Sequence, residues 1–294
     1  MDLGTITLDK GNRAAIVCCS NGQPQVQKER LHRLKNTLLH LGLIPVFSEY
    51  IYERDSVFSG TAKERAESLM SFYQDVGIKA IFDISGGDIA NEILPYLDYE
   101  QIGKSEKIFW GYSDLTTVIN AIYAKTGKAS VLYQIKNLTG KDAGMQISNF
   151  TGSVFEGKED LFSFNYEFVQ KSHMHGTVVG GNIRCLLKLA GTPFWPDMKG
   201  KILLLESRGG TVAQMVTYLN QLKQIGVFGE IRGILLGTFT RMEEEHCFPD
   251  IVELVKKYAG EQLPIAKTEE IGHGSNSKGI LIGQEISMKV KFGS

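Results

Sequence analysis

Short apolar runs alternate with stretches of helical periodicity through the first half of the sequence. In one such stretch Leu31, Leu34 and Leu38 recur three and four residues apart, which predicts the buried face of a helix. Four apolar runs end at small or polar residues and are predicted to be buried strands: residues 14–19, 43–47, 79–84 and 108–110. Because strands that alternate with helices favour a parallel sheet covered on both faces, the sequence predicts an α/β fold.

Turn-forming residues follow three of these predicted strands. The three breaks lie at residues 20–22, 85–88 and 111–113. In a parallel sheet the carboxyl ends of the strands meet at one edge, where ligands bind, so we expect these breaks to converge on a site. The pair Gly86-Gly87 lets the backbone approach a ligand closely, although the same pair also suits a tight strand-to-helix turn.

Ser113 lies between a predicted strand and a predicted helix. The corner Gly111-Tyr112-Ser113 follows the strand, and helical spacing then continues to Gly127, a suitable helix stop. A serine on such a corner is exposed beside the first amides of the helix, which is the arrangement of a nucleophile elbow. Leu115 replaces the second glycine of the usual G-x-S-x-G pattern, and a serine that only caps the helix is the alternative.

Composition limits the classes of function. The chain has 294 residues, 43% of them apolar and 22% charged, with a formal net charge of -1, as expected for a globular protein of two domains. The near-zero charge gives no support for a nucleic-acid or membrane-surface partner. No apolar run approaches the ~20 residues of a membrane span, and the first residues lack a signal-peptide pattern, so we expect a cytoplasmic protein.

The regular alternation is interrupted between residues 137 and 171. We predict a parallel-sheet α/β domain over residues 1–136, a linker over 137–171, and a second α/β domain over 172–294. The four cysteines form no C-x-x-C pair, so neither a disulfide framework nor a metal site is expected.

Two further polar residues lie at the ends of apolar runs. Glu206 follows four aliphatic residues, and His273 stands between two glycines. Acyl transfer needs a nucleophile, a base with a pKa near neutrality and an acid that orients the base, and Ser113, His273 and Glu206 are suitable types. Each also has a plain alternative, since Glu206 could be a solvated loop carboxylate and His273 an ordinary loop histidine.

The sequence resembles the LD-carboxypeptidase family of serine peptidases, which includes the microcin immunity peptidases. The resemblance rests on the order and spacing of five segments: residues 85–88, 111–116, 180–182, 204–206 and 272–274. It implies Ser113 as nucleophile, Glu206 as acid and His273 as base, without a cofactor. It also implies that the first domain is flavodoxin-like and the second is a smaller α/β domain. An oxyanion hole formed by the amides of Asp114 and Gly87, and a homodimer, are implied as well.

The resemblance suggests two substrates, a murein tetrapeptide or a peptidyl- or aminoacyl-nucleotide. Gly86, Asp88 and Trp195 are candidates for substrate binding. Many relatives have Tyr-Gly-Pro where this chain has Tyr133-Gln134-Ile135, so we expect a different pocket wall there. A non-catalytic protein that binds a small anion at the same sheet edge is the remaining alternative, and it would need no contact between Ser113 and His273.

Overall fold

The computed structural model describes residues 6–290, which form two sheets flanked by helices. The strands are β1 Arg13–Val17, β2 Ile44–Phe47, β3 Ile78–Asp83, β4 Ile108–Gly111, β5 Ser130–Leu132, β6 Glu167–Gln170, β7 His173–Asn182, β8 Ile202–Ser207, β9 Gly233–Phe239, β10 Ile265–Lys267, β11 Ile280–Ile282 and β12 Glu285–Lys289. The α-helices are α1 Lys28–His40, α2 Ala62–Gln74, α3 Tyr99–Lys104, α4 Thr116–Thr126, α5 Ala143–Glu156, α6 Ile183–Leu187, α7 Val212–Gln224, α8 Val227–Glu230, α9 Thr240–Glu244 and α10 Ile251–Ala259. Four short 3₁₀ helices complete the regular structure: Gln25–Gln27, Ala90–Tyr96, Ser113–Leu115 and Ile135–Thr139.

The first sheet has the strand order of flavodoxin-like folds. Its parallel strands run β2-β1-β3-β4-β5, and β11 adds an antiparallel edge beside β5. The register pairs Ala15 with Ile81 and Phe82 with Trp110, and all four side chains are buried. The flavodoxin-like prediction is therefore confirmed, and the strand order reverses beside β1, where such folds bind ligands.

The second sheet is also mainly parallel. Strands β7, β8, β9 and β10 are parallel neighbours, while β12 and β6 pair antiparallel at the two edges. The central strand β8 is buried along its whole length, as expected for an aliphatic run covered by helices on both faces. The predicted α/β class is thus confirmed for the second half.

The segment predicted as a linker contains helix α5 and strand β6. Phe150 of α5 is fully buried and packs against Phe82 and Trp110 of the first sheet, with ring centroids 6.1 and 6.0 Å apart. The helical pattern was missed because Gln146 and Ser153 are polar yet lie on the buried face of α5. The domain boundaries stay a prediction, and β11, from the predicted second domain, completes the first sheet.

Helix α4 joins the two halves. The Asn120 side chain donates to the carbonyl of Gly180 at 2.9 Å and accepts from the Gly180 amide at 2.8 Å. Gly180 belongs to β7, and Asn120 is fully buried. The helix that follows the elbow is therefore fixed to the second sheet by two hydrogen bonds. Within residues 6–290 none of the helices has the length and apolar content to cross a membrane.

Candidate active site

Ser113 occupies a strained corner at the end of β4. Its φ angle is +56°, in the left-handed region that residues with side chains rarely adopt. A Cβ atom at Gly111 would lie 2.7 Å from Leu115 Cβ, so the corner needs glycine there. The side chain of Ser113 contacts His273 instead of capping a helix amide, which favours the elbow over the capping alternative.

Glu206 and His273 reach Ser113 from the second half of the chain. Ser113 Oγ lies 3.2 Å from His273 Nε2, and His273 Nδ1 lies 2.7 Å from Glu206 Oε2. Glu206 lies within β8 and is fully buried, whereas His273 is on the loop between β10 and β11. Gly272 brings this loop so close to Thr238 of β9 that a Cβ would lie 1.7 Å from the Thr238 hydroxyl oxygen.

The two contacts of His273 determine its tautomer. A carboxylate only accepts hydrogen bonds, so Nδ1 carries the proton and Nε2 is left to accept one from Ser113. The ring of Tyr112 packs against the imidazole with a centroid distance of 4.6 Å. Burial, and then the charge of Glu206, raise the pKa of the Tyr112 hydroxyl. The second carboxylate oxygen of Glu206, Oε1, is buried without a hydrogen-bond partner among residues 6–290.

The Gly86-Gly87 turn lies beside Ser113. A Cβ on Gly86 would be 3.8 Å from Ser113 Cβ, and Gly87 has a φ angle of +125°. Asn21, just beyond β1, holds this turn by accepting from the Asp88 amide at 2.9 Å and donating its own amide to the Gly86 carbonyl at 3.2 Å. Within the described chain the amides of Gly87 and Asp114 donate no hydrogen bond.

A cleft of about 640 Å³ opens over these residues. It is lined by all three predicted strand-end breaks, and Gln134 of the divergent Tyr133-Gln134-Ile135 segment forms part of its wall, as expected. Arg30, Lys136 and Arg208 line the same cleft, against one acidic side chain, Glu53. The cleft therefore has an excess of positive charge, which suits an anionic ligand. A larger groove of about 1290 Å³ lies at the opposite edge of the first sheet, remote from Ser113.

Asp114, Asp88 and Trp195 do not line the cleft with Ser113. The Asp114 carboxylate is buried and accepts from Ser20 Oγ at 2.7 Å and from Lys188 Nζ at 2.5 Å, while Asp88 forms ion pairs with Arg184 and Lys188. Trp195 is half-buried and packs against the hydrophobic core. Neither Asp88 nor Trp195 is among the residues that line this cleft. Their role in substrate binding stays a prediction.

Sequence reasoning missed several residues of the site. Arg30 and Lys136 are 106 residues apart in sequence, and no motif links them. Tyr112 stood inside the elbow motif, but its contact with His273 depends on how the second half packs. Asn21 was part of a predicted break, and its role in holding the glycine turn follows only from the structure.

Two family descriptions match this chain. The LD-carboxypeptidase N-terminal domain matches residues 14–133, and the LD-carboxypeptidase C-terminal domain matches residues 175–288. The chain belongs to the LD-carboxypeptidase family. The matched regions include the elbow, the glycine turn and the Glu206 and His273 segments, so the resemblance drawn from the sequence is confirmed.

The similar proteins within the LD-carboxypeptidase family include some named as carboxypeptidases and one named for self-immunity to microcin C7. A probable murein peptide carboxypeptidase of Bacillus subtilis is 29% identical, over 85% of this chain and 81% of that protein. The microcin C7 self-immunity protein MccF of Escherichia coli is 29% identical, over 71% of this chain and 70% of that protein. A solved structure of MccF in complex with aspartyl sulfamoyl adenosine superimposes with a TM-score of 0.83 at 22% identity, over 98% of both chains, and so supports the fold.

Proposed function

We propose that this chain is a serine carboxypeptidase that removes the terminal residue of a murein tetrapeptide. One observation carries the proposal: the unbroken hydrogen-bond chain from Ser113 through His273 to buried Glu206, at a serine held in a strained turn. A protein that only bound a small anion would need no such chain. The non-catalytic alternative therefore leaves this contact unexplained.

Ser113 acts as the nucleophile in this mechanism. His273 Nε2 takes the hydroxyl proton as Ser113 Oγ attacks the scissile carbonyl carbon, and a tetrahedral oxyanion forms. His273 then passes the proton to the leaving amine nitrogen as the C–N bond breaks, which leaves an acyl-enzyme. Water, activated by the same nitrogen, hydrolyses the ester and restores Ser113. Glu206 stabilises the imidazolium in both halves of the cycle.

We assign the oxyanion hole to the amides of Gly87 and Asp114, neither of which donates a hydrogen bond within the described chain. Both flank Ser113, one on the glycine turn and one directly after the nucleophile. A backbone donor aimed at a developing oxyanion contributes about 3–4 kcal/mol to transition-state binding in comparable sites. The positive φ of Gly87 and the crowding by Asn21 explain why a glycine occupies this position.

The lining of the cleft supports a peptide substrate over a nucleotide. Among the described residues, three cationic side chains and one carboxylate, Glu53, line the cleft, which fits an anionic substrate of either kind. Among the described residues that line the cleft, Tyr112 is the only one with a phenyl, phenol or indole ring, and its ring packs on His273. A base would therefore find no free aromatic surface on which to stack.

The test is a peptidase assay with the tetrapeptide L-Ala-γ-D-Glu-L-Lys-D-Ala. Wild-type protein should release the terminal D-alanine, and Ser113→Ala should lower kcat by at least about 10³-fold without loss of folding. Ser163→Ala, which changes a serine outside the cleft, is the matched control. No release by wild-type protein, or equal release by Ser113→Ala, would refute the proposal.

Hydrolysis of an aminoacyl-nucleotide is the second candidate. The similarity to MccF favours it, since that protein is named for self-immunity to microcin C7 and was solved with an aminoacyl sulfamoyl nucleoside bound. An assay with an aminoacyl-nucleotide phosphoramidate, run beside the tetrapeptide, separates the two. A larger kcat/KM for the nucleotide would assign this second function to the same serine.

We further propose that the enzyme works in the cytoplasm as a homodimer. The proposal is supported by membership of the LD-carboxypeptidase family. Sedimentation of the purified protein at micromolar concentration should give about twice the chain mass of 32.6 kDa. Fractionation of cells that express the chain tests the compartment.

A further inference from the structure

Two cationic side chains meet at one end of the cleft. Arg30 extends from α1, and Lys136 lies in the 3₁₀ helix that follows β5. Arg30 Nη2 donates to the Lys136 carbonyl at 3.1 Å, and Lys136 Nζ donates to Gln23 Oε1 at 3.0 Å. These contacts fix both side chains in the cleft wall without neutralising either charge.

Neither cation has an anionic partner of its own. Within residues 6–290 no carboxylate oxygen lies within 4.0 Å of Arg30 or Lys136. The carboxylate whose charge acts on Lys136 is Asp83, and its oxygens already accept hydrogen bonds from Cys19 and Ser85. Burial, and then the charge of Arg30, lower the pKa of Lys136 to about 8. Uncompensated cations in a cleft are costly, so their presence indicates a ligand that neutralises them.

The position of the pair relative to Ser113 limits where this anion sits. Lys136 contacts Gln23 beyond β1, and both residues line the same cleft as Ser113. A substrate bound along this cleft can therefore contact the cations while its scissile carbonyl lies at Ser113 Oγ.

We infer that Arg30 and Lys136 form a subsite for a carboxylate of the substrate whose scissile bond lies at Ser113. The inference rests on the proposed peptidase function and names the residues that select its substrate. The murein tetrapeptide carries two carboxylates that could occupy this subsite: the terminal one of D-alanine and the α-carboxylate of D-glutamate. A planar carboxylate can bind the Arg30 guanidinium with two oxygens while Lys136 supplies a point charge.

The test compares the acid tetrapeptide with two neutralised analogues. One ends in D-alaninamide, and the other has D-isoglutamine in place of D-glutamate. For wild-type enzyme one of these changes should raise KM at least tenfold, and that change identifies the carboxylate. Lys136→Met and Arg30→Gln should each raise KM for the acid peptide while leaving KM for that analogue nearly unchanged. Lys136→Arg should restore most of the discrimination.

Arg33→Gln is the matched control, because Arg33 is an exposed cation one turn further along α1 and does not line the cleft. It should behave as wild type. If wild-type enzyme gives equal KM values for the acid peptide and both analogues, the subsite is refuted, but the peptidase function is not. The subsite is also refuted if Lys136→Met has the melting temperature of wild type and the same ratio of KM values between acid peptide and analogue.

Calorimetry with Ser113→Ala separates this inference from the proposed function. If wild-type protein cleaves no peptide, the subsite is still supported when Ser113→Ala binds the acid peptide more tightly than one analogue and Lys136→Met abolishes that difference. Equal binding of acid and analogues, or no binding of the acid peptide, overturns it. Tighter binding of adenosine 5′-monophosphate than of the acid peptide assigns the pair to a phosphate and also overturns it.

The pH dependence gives an independent readout. The groups that face Lys136 are Arg30, Asp83 and the Cys18 thiol, and burial raises the pKa of that thiol to about 12, so it stays neutral near pH 8. Above pH 8 Lys136 loses its proton, and KM for the acid peptide should rise up to tenfold per pH unit. Lys136→Met should flatten this rise, and an unchanged rise in that variant would contradict the assignment.

Discussion

A single backbone angle distinguishes Ser113 from an ordinary helix cap. A non-glycine residue at φ +56° carries about 1–3 kcal/mol of strain, which persists only where the surroundings enforce it. Here Leu115 packs closely against Gly111, and the Ser113 hydroxyl is hydrogen-bonded to His273. The residue types Ser113, Glu206 and His273 could be proposed from sequence because each ends an apolar run. Their contacts could not, since they depend on how two sheets pack.

Glu206→Gln tests the role of the buried acid. The glutamine amide would turn an N–H toward His273 Nδ1, which forces the proton onto Nε2 and removes the acceptor for Ser113. We expect kcat to fall about 10³–10⁴-fold while KM changes less than threefold. Steady-state assays of the tetrapeptide measure both constants. Glu243→Gln, a carboxylate of the same half that does not line the cleft, should retain activity, and a loss of less than tenfold in Glu206→Gln would contradict the role.

At the scale of elements, the sequence predicted where the strands of the first sheet end. It did not predict the path of the segments that run across this edge of the sheet. Glycine-rich breaks after apolar runs identified the carboxyl ends of β1, β3 and β4, and the structure brings all three to the cleft. The 3₁₀ helix Ile135–Thr139 leaves β5 and crosses this edge toward α1. The path of this 3₁₀ helix depends on its packing against α1, so the position of Lys136 in the cleft could not be predicted from the sequence. Helix α5 was missed because its buried face is partly polar.

Lys188, the residue after the short helix α6, connects the elbow with the glycine turn. Lys188 Nζ lies 2.5 Å from buried Asp114 and 2.8 Å from the carbonyl oxygen of Asp88 in the glycine turn. Lys188→Met leaves the Asp114 carboxylate without its counter-ion, and we expect a loss of about 3 kcal/mol in urea unfolding. We also expect kcat to fall at least tenfold, with little change in KM, because both proposed oxyanion amides lie in the clamped segments.

Adding Asp114→Asn to Lys188→Met should recover part of that stability, since the uncompensated charge is then removed as well. Lys199→Met, at an exposed position, is the control and should leave both stability and kcat unchanged. A fully additive double variant would show that the two residues do not interact. Unchanged kcat in Lys188→Met would contradict its positioning role.

At the scale of the whole molecule, the site exists only where two sheets meet. Ser113 and the glycine turn belong to the first sheet, whereas Glu206 belongs to the second. The α/β class followed from the alternation of apolar runs, and the flavodoxin-like order followed from the resemblance to the LD-carboxypeptidase family. The way the sheets face one another did not, since it rests on buried polar contacts such as that of Asn120 with Gly180, for which a sequence pattern gives no sign.

Asn120→Ala tests this connection between the halves. The change leaves the N–H and the carbonyl of Gly180 buried without their partner, and each unsatisfied group costs about 1–3 kcal/mol. We expect a loss of about 2–4 kcal/mol in urea unfolding and a drop in kcat as His273 moves relative to Ser113. Lys125→Ala, at an exposed position of the same helix, is the control. Wild-type stability in Asn120→Ala would contradict the proposed link.

The return of β11 to the first sheet has a consequence for the order of events during synthesis. Leu132 of β5 pairs with Ile280, so the edge of the first sheet stays open until residue 280 has left the ribosome. The loop that carries His273 lies immediately before β11. A nascent chain can thus fold its flavodoxin-like strands early, yet it gains its proposed base only shortly before β11 closes the sheet. On the proposed mechanism, catalysis cannot begin before this loop and β11 are in place.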